Sequence, residues 1–563
     1  MIAQLFNGRT TAAATLTLAA CLCASTAGAQ PASGDVTEKL IQILVKNGVL
    51  TQPQAKDLLD QARAEARARP TVAPAAAAST ATDKPAPQGT VRVTYVPESV
   101  RKQIAAEVKQ QVLQQAQDQG WAEPSVIPGW TQRVRVYGDV RMRGQWDNFP
   151  SNNYNLFPDF NGINGSSNGY DTNSASLPPL LNTTQGRMRT RLRARLGVEA
   201  QITDWAVANI RIATGSDSSP VSTNQTLGAT GDFSKYAIWL DTAYIQMKPV
   251  SYTTISVGRM PNPFWTTDLL YDDDLNFDGF AVANKFGHSD GVQGFLTLGG
   301  FPVFNTAFNL GSTNAAKTSS QDGWLVAVQG GAEWRFQEEW KAKIGMGFFG
   351  YNNIEGRKSQ LCVGPTSFGS CTTDTTRAPF IQFGNTVFPV RNISTPGSST
   401  TAQPQFYGLA SKFQELDIHA QMSYYGFHPV DVVVDADYVM NMAFDRRKTA
   451  SKSPVNNIGT NNAFVGGDTG WTLKLTVGRP ELKTAWDWNV SVAYKYIESD
   501  AVLDALTDSK FHLGGTNAQG FVLGGNLAFA RDLWMSARWY STNAISGPPY
   551  SVDSIMIDLN AKF

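Results

Sequence analysis

From Gln132 to the last residue, apolar and polar side chains alternate with a period of two. In Arg133-Val134-Arg135-Val136-Tyr137-Gly138-Asp139-Val140-Arg141-Met142-Arg143, even positions are apolar or glycine and odd positions are mostly charged. Residues 187–200 repeat this, with Arg187, Arg189, Arg191, Arg193 and Arg195 on one face and Met188, Leu192, Ala194, Leu196 and Val198 on the other. Successive side chains of a strand point to opposite faces, so such a strand belongs at a boundary between an apolar medium and water. Trp471/Leu473/Leu475/Val477 and Trp488/Val490/Val492/Tyr494 are later examples. A soluble sandwich alternates as well, but two features favour a membrane barrel. Short turns near Thr203-Asp204, Gln337-Glu338, His428-Pro429, Arg479-Pro480 and Arg531-Asp532 alternate with long polar loops at 149–185, 216–234, 311–322, 353–404, 444–463 and 499–516. Aromatic pairs such as Trp334/Phe336 and Tyr494/Tyr496 fall near strand ends, where an interfacial girdle sits.

Strand starts near 132, 187, 205, 236, 252, 276, 291, 324, 339, 407, 428, 464, 484, 518, 533 and 552 predict sixteen antiparallel strands. Splitting 291–310 in two would give seventeen, an odd count that breaks the alternation of short turns and long loops; eighteen is the alternative number. The expected fold is all-β: a transmembrane antiparallel β-barrel over 131–563, preceded by a short periplasmic helical region. Ahead of it, residues 1–29 carry Arg9, an apolar run from Thr11 to Cys23 and an Ala27-Gly28-Ala29 cleavage pattern, the marks of a secretory signal peptide. Leu18-Ala19-Ala20-Cys21 also fits a lipoprotein box, which would leave Cys21 lipidated. Residues 30–69 read as a helical hairpin, with Leu40, Ile43 and Leu44 on one face, a stop at Gly48 and a capping box from Thr51 to Gln54. Residues 70–90 form a Pro/Ala-rich linker. Residues 91–130 hold a periplasmic helix with Val100, Ile104, Val108 and Val112 at spacings of four, then the lead-in to the barrel.

Composition changes this picture little: 47 Lys+Arg balance 47 Asp+Glu, which removes any bulk electrostatic case for nucleic acid. Placement matters more. If even positions of the first two strands face lipid, the lumen receives Arg135, Arg141, Arg143, Arg189, Arg191, Arg193 and Arg195, with Arg211 on the next strand. Between 131 and 215 there are ten Lys+Arg against six Asp+Glu, and guanidinium keeps its charge at any working pH. Glu415, Asp417, His419, Asp435 and Asp437 share the lumen face of strands counted here as eleven and twelve. In a sixteen-stranded barrel strand n faces strand n+8, so the expectation is a basic wall facing an acidic one, which orients polar solutes.

Cys362 and Cys371, in a Ser/Thr/Gly-rich stretch of an exported chain, are expected to form a loop disulfide and are too few for a zinc site. No metal and no cofactor is expected. Asp274-x-Asn276-x-Asp278-Gly279 begins like a calcium loop, but the twelfth position is Lys285 and the flanks read as strand, so an EF-hand is rejected; divalent binding in another geometry stays open. An enzymatic barrel has little support, since the four histidines have no evident serine partner and no G-x-S-x-G occurs. A surface or adhesive role rests only on the 50-residue loop that contains the cysteine pair.

The last strand, Ile555, Ile557, Leu559, Ala561, Phe563, ends on an aromatic carboxyl-terminal residue and looks like the outer-membrane assembly signal of bacterial barrels. With the lead-in Val91-Arg92-Val93-Thr94-Tyr95-Val96-Pro97, then Val136-Tyr137-Gly138-Asp139-Val140-Arg141, Val257-Gly258-Arg259-Met260-Pro261-Asn262-Pro263-Phe264-Trp265 and Asp272-Asp273-Asp274-Leu275-Asn276-Phe277-Asp278-Gly279, nearly all of the mature chain resembles the putative porin family of Gram-negative bacteria. The resemblance implies an outer-membrane channel for small hydrophilic solutes and ions, without specifying which. It implies lipid and the barrel assembly machinery as partners and a homotrimer by analogy; the N-terminal helices would contact peptidoglycan or each other. Porins often fold one loop inward, and the stretch after strand five, with Asp268, Asp272, Asp273, Asp274 and Asp278, is the candidate constriction. An anion-selective, phosphate-like channel is the runner-up, since guanidinium pairs with phosphate oxygens.

Overall fold

The computed structural model describes residues 133–287, 291–305, 322–362, 373–393 and 403–563. The signal peptide, helical hairpin, linker and periplasmic helix therefore lie outside the described residues, as does Cys371.

Sixteen long strands form one antiparallel sheet: β1 (Val134–Asn148), β2 (Arg187–Thr203), β3 (Ala206–Ala213), β4 (Trp239–Val250), β5 (Thr253–Pro261), β6 (Asn276–Gly287), β7 (Val292–Phe304), β8 (Gly323–Arg335), β9 (Trp340–Asn352), β10 (Gln414–Phe427), β11 (Val430–Asn441), β12 (Thr469–Gly478), β13 (Trp488–Ile497), β14 (Ala518–Ala530), β15 (Leu533–Ala544) and β16 (Ser551–Lys562). Each pairs with its neighbours in chain order, and β1 also pairs with β16, from Asp139 opposite Lys562 to Asn148 opposite Asp553. Closure leaves no free edge, the condition for a sheet in lipid. Phe563 completes the seam, exchanging backbone hydrogen bonds with Gly138 at 2.9 and 3.0 Å. Glycine is needed there, because a Cβ on residue 138 would stand 2.7 Å from the Phe563 ring.

Parity separates lipid from lumen as the alternation predicts. On β13, Val490 is 51% exposed and Asn489 only 7%. Val136, Met188, Ile210, Val326 and Leu473 belong to the same outward band. No helix among the described residues is long and apolar enough to cross a membrane.

The predicted strand starts at 236, 407, 464 and 484 are early by three to seven residues against Trp239, Gln414, Thr469 and Trp488. The largest gap has a local cause: Tyr407–Leu409 alternates like a strand but pairs with Val387–Pro389 inside the long loop. The turn foreseen at Arg479-Pro480 extends over 479–487. One strand assignment needs correction: Glu415, Asp417 and His419 lie on β10, and Asp435 and Asp437 on β11. By the n+8 rule these strands face β2 and β3, the strands of the arginine row.

Two connections do not stand away from the barrel. Residues 262–275, between β5 and β6, and 498–517, between β13 and β14, fold inward, and Leu269, Leu270, Ala501, Val502 and Phe511 are buried. They join Phe301, Phe349, Val439 and Met556 of the wall in one internal apolar cluster. The mouth half of the barrel thus has a hydrophobic core of its own, which burial of this kind stabilises at about 25 cal/mol per Å² of apolar surface.

Candidate functional site

The arginine row takes the inward side of β1 to β3, and cross-strand register gives most of its members an acid. Arg143 makes two hydrogen bonds to Asp558 of β16, at 2.6 and 2.7 Å, and both side chains are buried. Arg189 pairs with Asp147 at 2.7 Å. Arg193 and Arg195 both reach Asp139, at 2.8 and 2.6 Å. Arg211 binds Asp241 of β4 at 2.5 Å. Arg141 donates to Asn224 at 2.6 Å, Arg191 reaches only Gln145 at 3.5 Å, and the exposed Arg135 stands opposite Glu199. The basic row is therefore largely a lattice of paired charges, because acids sit beside it on the same inward face. Asp139 and Asp147 could have been found from the sequence, since they share the odd parity of Arg141 and Arg143. Asp241 and Asp558 required the register.

The segment 262–275 crosses to the far wall. Pro261 ends β5 and pairs with Asn276, the first residue of β6, so the segment is an excursion from one hairpin. Within β5, Gly258 has φ +121°, and a Cβ there would stand 2.3 Å from the Ala243 carbonyl oxygen. The Trp265 backbone exchanges hydrogen bonds with the Gln329 amide of β8, both at 2.8 Å. Its indole stacks on His419 of β10, with centroids 3.8 Å apart, and carries the Lys343 ammonium of β9 over its face at 3.9 Å. The Thr267 hydroxyl donates to Asp437 of β11, and Asp268 bridges to Lys495 of β13 at 2.8 Å. Ser509, in the other inward loop, holds Asp272 through its N–H and hydroxyl at 2.8 and 2.9 Å.

The segment's last turn returns to the arginines. Asp274 lies 3.3 Å from Arg193 and 3.5 Å from Arg195, and accepts from the Thr223 hydroxyl at 3.1 Å. Burial opposes its charge, yet the guanidiniums of Arg193 and Arg141 hold its carboxyl well below the usual range. Burial pushes Asp272 up to about 6 despite the Lys510 ammonium 3.5 Å away. Asp273 points out to solvent, and Asp278 lies in β6, paired with Arg259 at 2.9 Å, outside the inward segment.

The acidic group has a different setting from the one expected. Glu415, Asp417 and Asp437 face inward but are buried beneath the two inward segments, so they do not line open water. Glu415 accepts from the Leu503 N–H at 2.9 Å, while both oxygens of Asp417 have no protein partner. Asp435 stays half-buried, accepting from Gln421 at 2.7 Å. The inward segment thus leans on the β8–β13 wall, and the partly buried pairs of Arg193 and Arg195 with Asp139, and of Arg211 with the buried Asp241, remain along the opposite side. No group of three or more His, Cys, Asp or Glu among the described residues is arranged to hold a metal ion. The sequence did not single out Thr267 or Gln329 for a role; Trp265 stood in the Val257–Trp265 motif and Lys495 on the polar face of an alternating strand, but neither position told what it would contact.

Among curated proteins none matches the chain. Similar solved structures include the outer membrane channel DcaP of Acinetobacter baumannii, at 11% identity over 76% of this chain and 97% of that one, with a TM-score of 0.35. OprB of Pseudomonas putida, in its high-pH structure, has 9% identity over 77% of this chain and 95% of that one, with a TM-score of 0.40. OmpT of Vibrio cholerae in its trimer form has 10% identity over 76% and 99%, with a TM-score of 0.36. The model of the putative porin family matches residues 34–563. A closed sixteen-stranded barrel with an apolar belt, a charged inner face and an inward-folded segment agrees with that match, and the chain belongs to the putative porin family of the outer membrane.

Proposed function

We propose that the protein is a passive channel for small hydrophilic solutes and ions, whose narrow part is bordered by the inward segment 262–275 and the charged inner face of β1 to β4. The observation that carries this reading is the inward segment anchored on β8, β10, β11 and β13, which leaves the partly exposed Arg189, Arg193, Arg195 and Arg211 along β2 and β3. Fixed charges of both signs around a narrow passage offset part of a polar solute's lost hydration and give an apolar one nothing. Selection is by size and charge, and no bond is made or broken. The proposal includes a periplasmic N-terminal region able to contact peptidoglycan, assembly through Phe563 and a homotrimer. Strict selectivity for a phosphate-like anion is the second reading, favoured by Arg191, which has no acid partner among the described residues.

The test is single-channel recording of the purified protein in planar bilayers under a KCl gradient, with Arg189, Arg191 and Arg193 replaced by Ala in parallel. Stepwise openings with an anion preference that weakens in the variant support the channel and its basic side. Selectivity indifferent to the three substitutions removes the arginines from the reading. Correctly folded protein that never opens removes the channel.

A further inference from the structure

Beside the inward segment, on the side of the long loops and with Asp241 and Asp274 in its lining, lies a cavity of about 470 Å³. Its lining combines an apolar face with a polar, charged one. Phe304, Ile354, Phe380 and Leu506 contribute to its wall, and Phe304, Phe380 and Leu506 pack from behind against the internal apolar cluster. The volume falls within the range of about 300–1,000 Å³ typical of small-molecule sites, which combine an apolar lining with a few placed polar groups.

Most charges on the cavity wall are already matched. Asp241 is held by Arg211 and Asn276, Asp274 by Arg193 and Arg195, and Arg259 by Asp278. Arg377 differs. It is half-buried, its guanidinium lies over the Phe406 ring at 4.4 Å, and it has no acid partner among the described residues. The nearest acid in sequence, Asp374, is taken by two hydrogen bonds from Arg391, at 2.8 and 2.6 Å. Stacking orients a guanidinium and leaves its in-plane donors free for a carboxylate. Asp217 is the other unmatched charge; it stands at the exposed rim, where water screens it.

We propose that this vestibule binds a small organic monoanion with an apolar body, an aromatic or branched aliphatic carboxylate, which pairs with Arg377 and lies against Phe304, Phe380 and Leu506 before entering the passage. This rests on the channel reading and adds the class of solute to it. A carboxylate without a hydrocarbon body gains only the ion pair, and an uncharged aromatic gains only the wall.

The experiment records the current of the full-length protein in planar bilayers while benzoate, acetate, benzyl alcohol or phenylalanine is added on the long-loop side. The expected result is a concentration-dependent interruption of current by benzoate at concentrations where the other three do nothing. In Arg377→Gln the concentration for half-block rises about tenfold, the cost of one charge-assisted pair. Arg377→Lys, which keeps the charge, retains most of the block and separates loss of the ion pair from damage to the loop. Phe380→Ala weakens benzoate and leaves acetate unaffected. Openings without benzoate block, or block of equal strength in Arg377→Gln, overturn the vestibule while the channel stands. Phenylalanine blocking as well as benzoate assigns Asp217 a role and overturns the monoanion. Absence of openings overturns the channel reading itself.

Discussion

Arg143 and Asp558 face each other across the seam where the first and last strands meet, both out of reach of solvent. Two parallel N–H to O bonds at 2.6 and 2.7 Å offset the desolvation of both ions, and neither could stay charged there alone. Asp558→Ala strands the guanidinium and is expected to cost roughly 3–5 kcal/mol. The double change Arg143→Met with Asp558→Leu removes both charges and is expected to recover most of that loss. Denaturant midpoints of the detergent-folded barrel measure both; a single variant as stable as the parent would show that the pair is dispensable. At this scale the sequence revealed which face Arg143 takes, because parity is local. It hid the partner, 415 residues away in the chain.

Strands carry most of what the sequence disclosed. Alternation is enforced residue by residue by lipid on one side and water on the other, so number, order and orientation of the elements were readable. Leu473 and Lys474 test this on adjacent positions of β12. Leu473 is 52% exposed on the outer face, and Lys474 faces inward opposite Asp435. Leu473→Arg puts a charge into lipid and is expected to cost about 2–4 kcal/mol near the midplane. Lys474→Ala is expected to change stability by less than about 0.5 kcal/mol and to move the reversal potential toward cations. Equal destabilisation by both would sink the assignment of faces.

The inward segment is an element of another kind, since no periodicity announces it. Its acidic run was visible, but its anchors are one or two contacts to each of five strands, from Gln329 to Lys495. Because Pro261 and Asn276 are register partners, a short turn of two to four residues suffices to join β5 to β6. Replacing 262–275 with Asn-Gly is therefore expected to keep the barrel and to raise single-channel conductance several-fold. Unchanged conductance would place the narrowest point elsewhere.

As a whole, the molecule balances its charges in space as it does in number, and it does so by turning loops into core. A barrel of this strand number would otherwise hold a wide aqueous lumen; here 498–517 fills part of it, with Ala501, Val502, Leu503 and Phe511 buried. Nothing in the composition of that loop distinguishes it from a solvated one, since its apolar residues are aperiodic and interleaved with Asp500, Asp504 and Asp508. Asp500 and Asp504 are expected to make the cap sensitive to pH. Asp504 is fully buried, accepts only the Asn385 N–H at 3.3 Å through one oxygen and has no partner on the other. Burial pushes its carboxyl up to about 7 and that of Asp500 up to about 6, against about 3.9 in an unfolded chain. A raised folded value means that the folded cap binds the proton more tightly than the open one. Its contribution to stability is complete below about pH 4 and is lost as pH rises through about 6 to 7. Amide hydrogen exchange across 498–517, corrected for its intrinsic rate, is therefore expected to be better protected at pH 5 than at pH 8. Asp504→Asn keeps an acceptor for Asn385 without the ionisation, so it should flatten most of that dependence and raise protection at pH 8. Protection that is equal at both values in the parent protein would mean that the cap accommodates the ionised carboxylates, through water or a cation between the loops.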